Sequence, residues 1–128
     1  MRHLLGSLLI GGVVLCAGMP AAADGEHAHG ASGAQTLTGE VVDVTCYLTH
    51  PESGIGPKHA DCARKCIEGG LPVAIRAGNQ LYLAVGSQHA SANKTLAQYA
   101  GRRVTVTGIV AERDGQHLIA ISNVTPAD

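Results

Sequence analysis

The chain has 128 residues, 9 Lys and Arg against 10 Asp and Glu, three Tyr, and no Trp or Phe. That is room for one domain, whose core must be built from Val, Ile, Leu and Ala and is therefore small. A near-neutral surface with so few rings lacks the basic grooves and stacking platforms that nucleic acid requires, so nucleic acid is excluded as a partner. The chain also has no glycine loop for phosphate, no Ser-His-Asp pattern and no carboxylate pair at a useful spacing, so nothing in it points to a hydrolase or transferase.

In chain order, Arg2 and His3 precede an apolar run over residues 4–19, then Pro20 and three alanines. This pattern predicts a signal peptide over 1–23, cleaved after Ala23, and a periplasmic or secreted protein. Residues 4–23 are nearly long enough to span a bilayer, but Pro20 and the alanines favour removal and leave no stable membrane anchor. Cys16 follows Leu15, where lipid modification wants a small side chain, which argues against a lipoprotein. Without Arg2, eight basic side chains face ten acidic ones. Residues 24–35 read as a disordered tail in which His27 and His29 either capture a metal weakly or are incidental to a solvated linker.

A domain over 36–128 follows. Alternation from Thr36 predicts a strand with Val42, Val44, Cys46 and Leu48 on one face and Asp43, Thr45 and Tyr47 on the other. Residues 50–57 are a loop by their Pro and Gly content. A helix over roughly 58–68 is stopped by Gly69 and Gly70. Strands over 72–76 and 80–86 form a hairpin, and a short helix around 94–99 is closed by Gly101. Two further strands, 102–113 and 116–124, are hinged at Asp114-Gly115, a strong hairpin signal. Strand, helix, two strands, short helix and two strands resemble the OB-fold, a small Greek-key barrel. The expected fold is mainly β: a five-stranded OB-like barrel with a Cys/His-bearing helix inserted after the first strand, a metal-site insertion over 46–72, and a short helix before the fourth.

The insertion holds three of the four cysteines. His59, Cys62 and Cys66 are spaced i, i+3, i+7 and share a helical face. Cys46 is close enough in sequence to fold back onto them. Three thiols and an imidazole are ligands for a soft or borderline metal, Cu(I) or Zn(II), one ion. An odd number of cysteines in an oxidising compartment favours a metal over a disulfide with a spare thiol. Cβ atoms at i and i+4 lie about 5–6 Å apart on a helix, too far for a Cys62–Cys66 disulfide at about 3.5–4.5 Å. A disulfide from Cys46 to either remains open, as do buried inert thiols. His50 is a reserve ligand, while His89 and His117 read as loop and strand-surface residues. Lys58, Arg64 and Lys65 are expected either to favour the thiolate form or simply to form a solvated face.

The block D-x-x-C-Y-L followed by H-x-x-C-A-x-x-C-I-x-x-G-x-P runs from Asp43 through Cys46, Tyr47, Leu48, His59, Cys62, Ala63, Cys66, Ile67 and Gly70 to Pro72. It resembles a family of small exported bacterial proteins of uncharacterised function, a likeness that implies a site without a reaction. The C-x-x-x-C pair is similar to that of the copper chaperones for cytochrome oxidase assembly, without their thioredoxin-like pattern. The exported haem chaperone of cytochrome c maturation is similar in its OB-type domain, but its haem-attaching motif is absent here. The sequence therefore predicts an exported binder of Cu(I) or Zn(II) through Cys46, His59, Cys62 and Cys66, as carrier or structural site, with a metal-accepting protein as its partner. The alternatives are a thiol–disulfide redox protein and a small ligand- or partner-binding OB module with structural cysteines.

Overall fold

The computed structural model describes residues 33–127. The expected signal peptide, Cys16, His27 and His29 lie outside the described residues. Five strands form a closed barrel in the order β1-β2-β3-β5-β4: β1 (Gln35–Asp43), β2 (Val73–Ala77), β3 (Gln80–Gly86), β4 (Arg103–Arg113) and β5 (Gln116–Pro126). All pairings are antiparallel except β3 with β5. This is the OB-like barrel that the strand order predicted. The two hairpin turns fall where expected, with Gly78 at φ +59° in one and Asp114 and Gly115 at +52° and +76° in the other. Positive φ at both central residues matches the twist of the β4–β5 ribbon. Register shifts between Thr107 and Gly108, where a Cβ on Gly108 would lie 2.3 Å from the Ala120 carbonyl oxygen.

Among the described residues three α-helices accompany the barrel: α1 (Val44–Thr49), α2 (Ala60–Glu68), preceded by a 3-10 turn over Pro57–His59, and α3 (Asn93–Leu96), continued by a 3-10 turn over Ala97–Tyr99. The first of these corrects the expected strand, which ends at Asp43 instead of running on to Leu48. Asp43, expected on the opposite face from Val42, is wholly buried like it, whereas Leu48, expected to share the face of Val42, is 65% exposed. The cause is local. Asp43 stays extended (φ −75°, ψ 122°) while its carboxylate accepts the amide hydrogens of Thr45 and Cys46. That N-cap satisfies donors a new helix leaves orphaned, and it outweighs the β-propensity of the Val and Thr around it.

α2 is fixed from both sides. Ala63 and Ile67, both buried, join Val41, Ile75, Leu96, Ala97, Val104 and Ile119 in one core cluster. Burying a side chain the size of Ile67 contributes roughly 1.5–3 kcal/mol. At the far end, Gly70 (φ +98°) allows a Schellman ending: its amide donates to the Ile67 carbonyl, and that of Leu71 donates to Cys66. The Asn93 side-chain amide then donates to the carbonyls of Ile67 (2.7 Å) and Leu71 (2.8 Å), joining α3 to the end of α2. Replacing Asn93 with Ala removes both bonds and lowers unfolding stability by about 1–3 kcal/mol. In urea the midpoint falls while the slope stays constant.

Candidate metal centre

The site is assembled where β1 ends. The cap at Asp43 starts α1, and the Val44 amide donates to the Pro72 carbonyl (3.0 Å), tying α1 to the segment that leaves α2. α1 closes with the His50 amide on the Cys46 carbonyl (2.8 Å). The chain then doubles back so tightly that a Cβ on Gly54 would lie 2.4 Å from that same oxygen, so only glycine fits. Two barrel contacts hold the returning loop. The Glu40 carboxylate accepts the Gly56 amide hydrogen, and Gly101, at φ +68°, leaves a gap that its own Cβ would close to 2.6 Å from the Gly56 carbonyl. This route delivers His59 to the start of α2, which carries Cys62 and Cys66.

Four sequence-predicted residues therefore meet, in two overlapping groups. The ligating atoms of Cys46, His59 and Cys62 lie within 4.8 Å of one another, and so do those of Asp43, Cys46 and Cys66. Cys46 belongs to both. Cys66 groups with Cys46 and Asp43, and not with His59. Cys46, Cys62 and Cys66 are all free thiols, so no disulfide joins them. His59 Nε2 is buried without a hydrogen-bond partner. A buried polar atom left so costs about 1–3 kcal/mol, and a nitrogen facing two sulfurs is a metal-ligand arrangement. Exposure is graded, with Asp43 buried, Cys46, His59 and Cys66 half-buried and Cys62 exposed. This cluster of sulfur, nitrogen and oxygen donors can hold a metal ion.

The charge environment differs from the sequence expectation. Lys58, Arg64 and Lys65 are exposed, and the charges acting on the thiols are those of Asp43 and of each other. The Cys46 thiol is pushed up to about 12, first by its hydrogen bond to the Asp43 carboxylate, then by burial and by the charge of Asp43. Burial and then Asp43 raise Cys66 as well, partly offset by its hydrogen bond to Cys46. Both are thiols at neutral pH, and a metal must displace their protons.

Asp43 is the residue that sequence reasoning missed as part of the site. Its signal was an aspartate directly before V-T-C, the position of a helix N-cap. Among the described residues the other histidines stay apart: His50 is exposed at the end of α1, and His89 is exposed in a 3-10 turn after β3. His117 lies on β5 beside Glu112 (3.5 Å), Gln80 and the Tyr82 ring. Comparison with protein-family models, curated proteins and solved structures finds no match to this chain.

Because the proton on Cys46 is held by a carboxylate, Asp43→Asn keeps one cap acceptor and lowers the Cys46 pKa. Iodoacetamide then labels Cys46 in metal-free protein faster at pH 8 than in the parent chain. In the parent, the folded thiol binds its proton more tightly than the unfolded one. The contribution of this bond to stability is thus complete below pH 9.0 and lost as pH rises towards about 12. Denaturation midpoints of metal-free protein across that window check the sign.

Proposed function

We propose that this chain is an exported metal-binding protein that holds Cu(I), or alternatively Zn(II), through Cys46, His59 and Cys62, with Cys66 as the fourth ligand. The observation that carries this reading is that a His59 ring nitrogen and the sulfurs of Cys46 and Cys62 all lie within 4.8 Å of one another, on a residue whose Nε2 is buried without a partner. Two thiolates and one imidazole suit a soft ion content with three ligands, which favours copper, while a closed tetrahedron with Cys66 suits zinc. The wholly buried Asp43 carboxylate supports a cation at this place, because buried charges are otherwise paired.

The packing of α2 supports a carrier over a structural staple. Ala63, Ile67 and the Asn93 clamp fix the helix through contacts that owe nothing to the ligands. Cys62 is the exposed ligand, and the one an accepting protein's thiol would displace first. A signal peptide over 1–23, as the sequence predicts, would put this exchange outside the cytoplasm. Cys46 and Cys66 are poorly suited to attack a disulfide, since an attacking thiol needs a depressed pKa and theirs are raised.

Titration with Cu(I) and Zn(II) against competing chelators tests the reading. One ion binds tightly, and Cys46→Ser, Cys62→Ser or His59→Ala weakens it by more than the roughly 10–100-fold that loss of an outer partner costs. Loading at pH 7 releases about one proton per coordinated thiol. Removing the ion leaves the circular dichroism of the barrel unchanged and lowers Tm only as mass action requires. A chain purified natively without metal and with one disulfide overturns the proposal.

A further inference from the structure

The two overlapping ligand groups are more than one ion can use. An ion held by Cys46, His59 and Cys62 without its fourth ligand leaves Asp43 and Cys66 beside it, sharing only Cys46 with that first position. Asp43 is wholly buried, and among the described residues it makes no ion pair. Each of its oxygens accepts one backbone amide hydrogen, from Thr45 (3.1 Å) and Cys46 (3.0 Å). A carboxylate offers about four lone-pair sites; two take these amides, one takes the Cys46 thiol hydrogen until a metal displaces it, and the carboxylate so anchored still has room for a cation.

Charge points the same way. Three thiolates and the Asp43 carboxylate carry four negative charges, and His59 adds none when neutral. One divalent ion leaves two of the four uncompensated in a half-buried site, where unpaired charge is costly. A second divalent ion cancels them. From these observations we infer that Asp43, Cys46 and Cys66 form a second metal position, adjacent to the first, with the Cys46 thiolate bridging two ions.

This inference rests on the one-ion reading above and deepens it. Its ligand class is a borderline divalent ion, Zn(II) or Cd(II), because the second position combines two sulfurs with a carboxylate oxygen. The second ion takes the Cys66 sulfur as thiolate, its proton leaving to solvent, and uses a free lone pair of the Asp43 carboxylate. The graded exposure gives an order of filling, the position with the exposed Cys62 first and the one against Asp43 second.

Cadmium tests the stoichiometry directly. The full chain, carrying Cys16→Ser, His27→Ala and His29→Ala to remove donors outside the described residues, is purified reduced and metal-free. It is then titrated with chelator-buffered Cd(II), followed by bound-metal analysis and 113Cd NMR. The expected result is two cadmium ions per chain with two resonances, falling to one ion and one resonance in Asp43→Asn. Saturation at one cadmium, with the thiolate absorbance complete at one equivalent, overturns the second position and leaves the one-ion reading standing. Two ions retained in Asp43→Asn also overturn it. A chain that takes up no cadmium defeats the one-ion reading as well, so the two failures are distinguishable. Should Asp43→Asn fail to fold, the count in the chain with the native Asp43 decides alone.

Discussion

One buried carboxylate decides where this chain stops being a strand. Asp43 accepts two amide hydrogens from the residues after it, and those bonds turn the backbone into α1 one residue later. Had the extended backbone continued, Cys46 and Leu48 would share a sheet face with Val42, about 3.3 Å further along the strand per residue, and Cys46 would move away from the helix that carries Cys62. The turn brings its sulfur back towards α2. The same carboxylate also hydrogen-bonds the Cys46 thiol and raises its pKa. Geometry and protonation of the centre therefore share one cause.

The barrel was legible in the sequence because its signals are local and agree with one another. Val and Thr alternation marked the strands, Gly69-Gly70 and Asp114-Gly115 marked a helix end and a hairpin, and the strand count gave the architecture. The proximity of Cys46, His59 and Cys62 was legible too, since H-x-x-C-x-x-x-C gathers side chains within a few residues of one helix start. The path of the chain between Cys46 and His59 was not. Gly54 is required by a carbonyl eight positions earlier, and Gly101 makes room for Gly56 from across the fold; neither contact leaves a periodic trace. Asp43 was misplaced because two rules compete there. Period-two alternation carried the strand through it, whereas its own side chain was a helix cap.

The electrostatics were the least legible part. Lys58, Arg64 and Lys65 are near the thiols in sequence but project into solvent, where water and salt weaken their influence. A single acidic group held inside acts far more strongly than three basic ones outside. Burial and this carboxylate thus favour the protonated form of Cys46 and Cys66.

The absence of tryptophan and phenylalanine has an optical consequence. Near-ultraviolet emission from this chain comes from tyrosine alone, and Tyr47 is bonded directly to Cys46, under the Arg76 guanidinium at 5.9 Å. The ring next to the shared ligand is one of only three emitters, so quenching or recovery of its fluorescence reports occupancy of the neighbouring sulfur without any added dye.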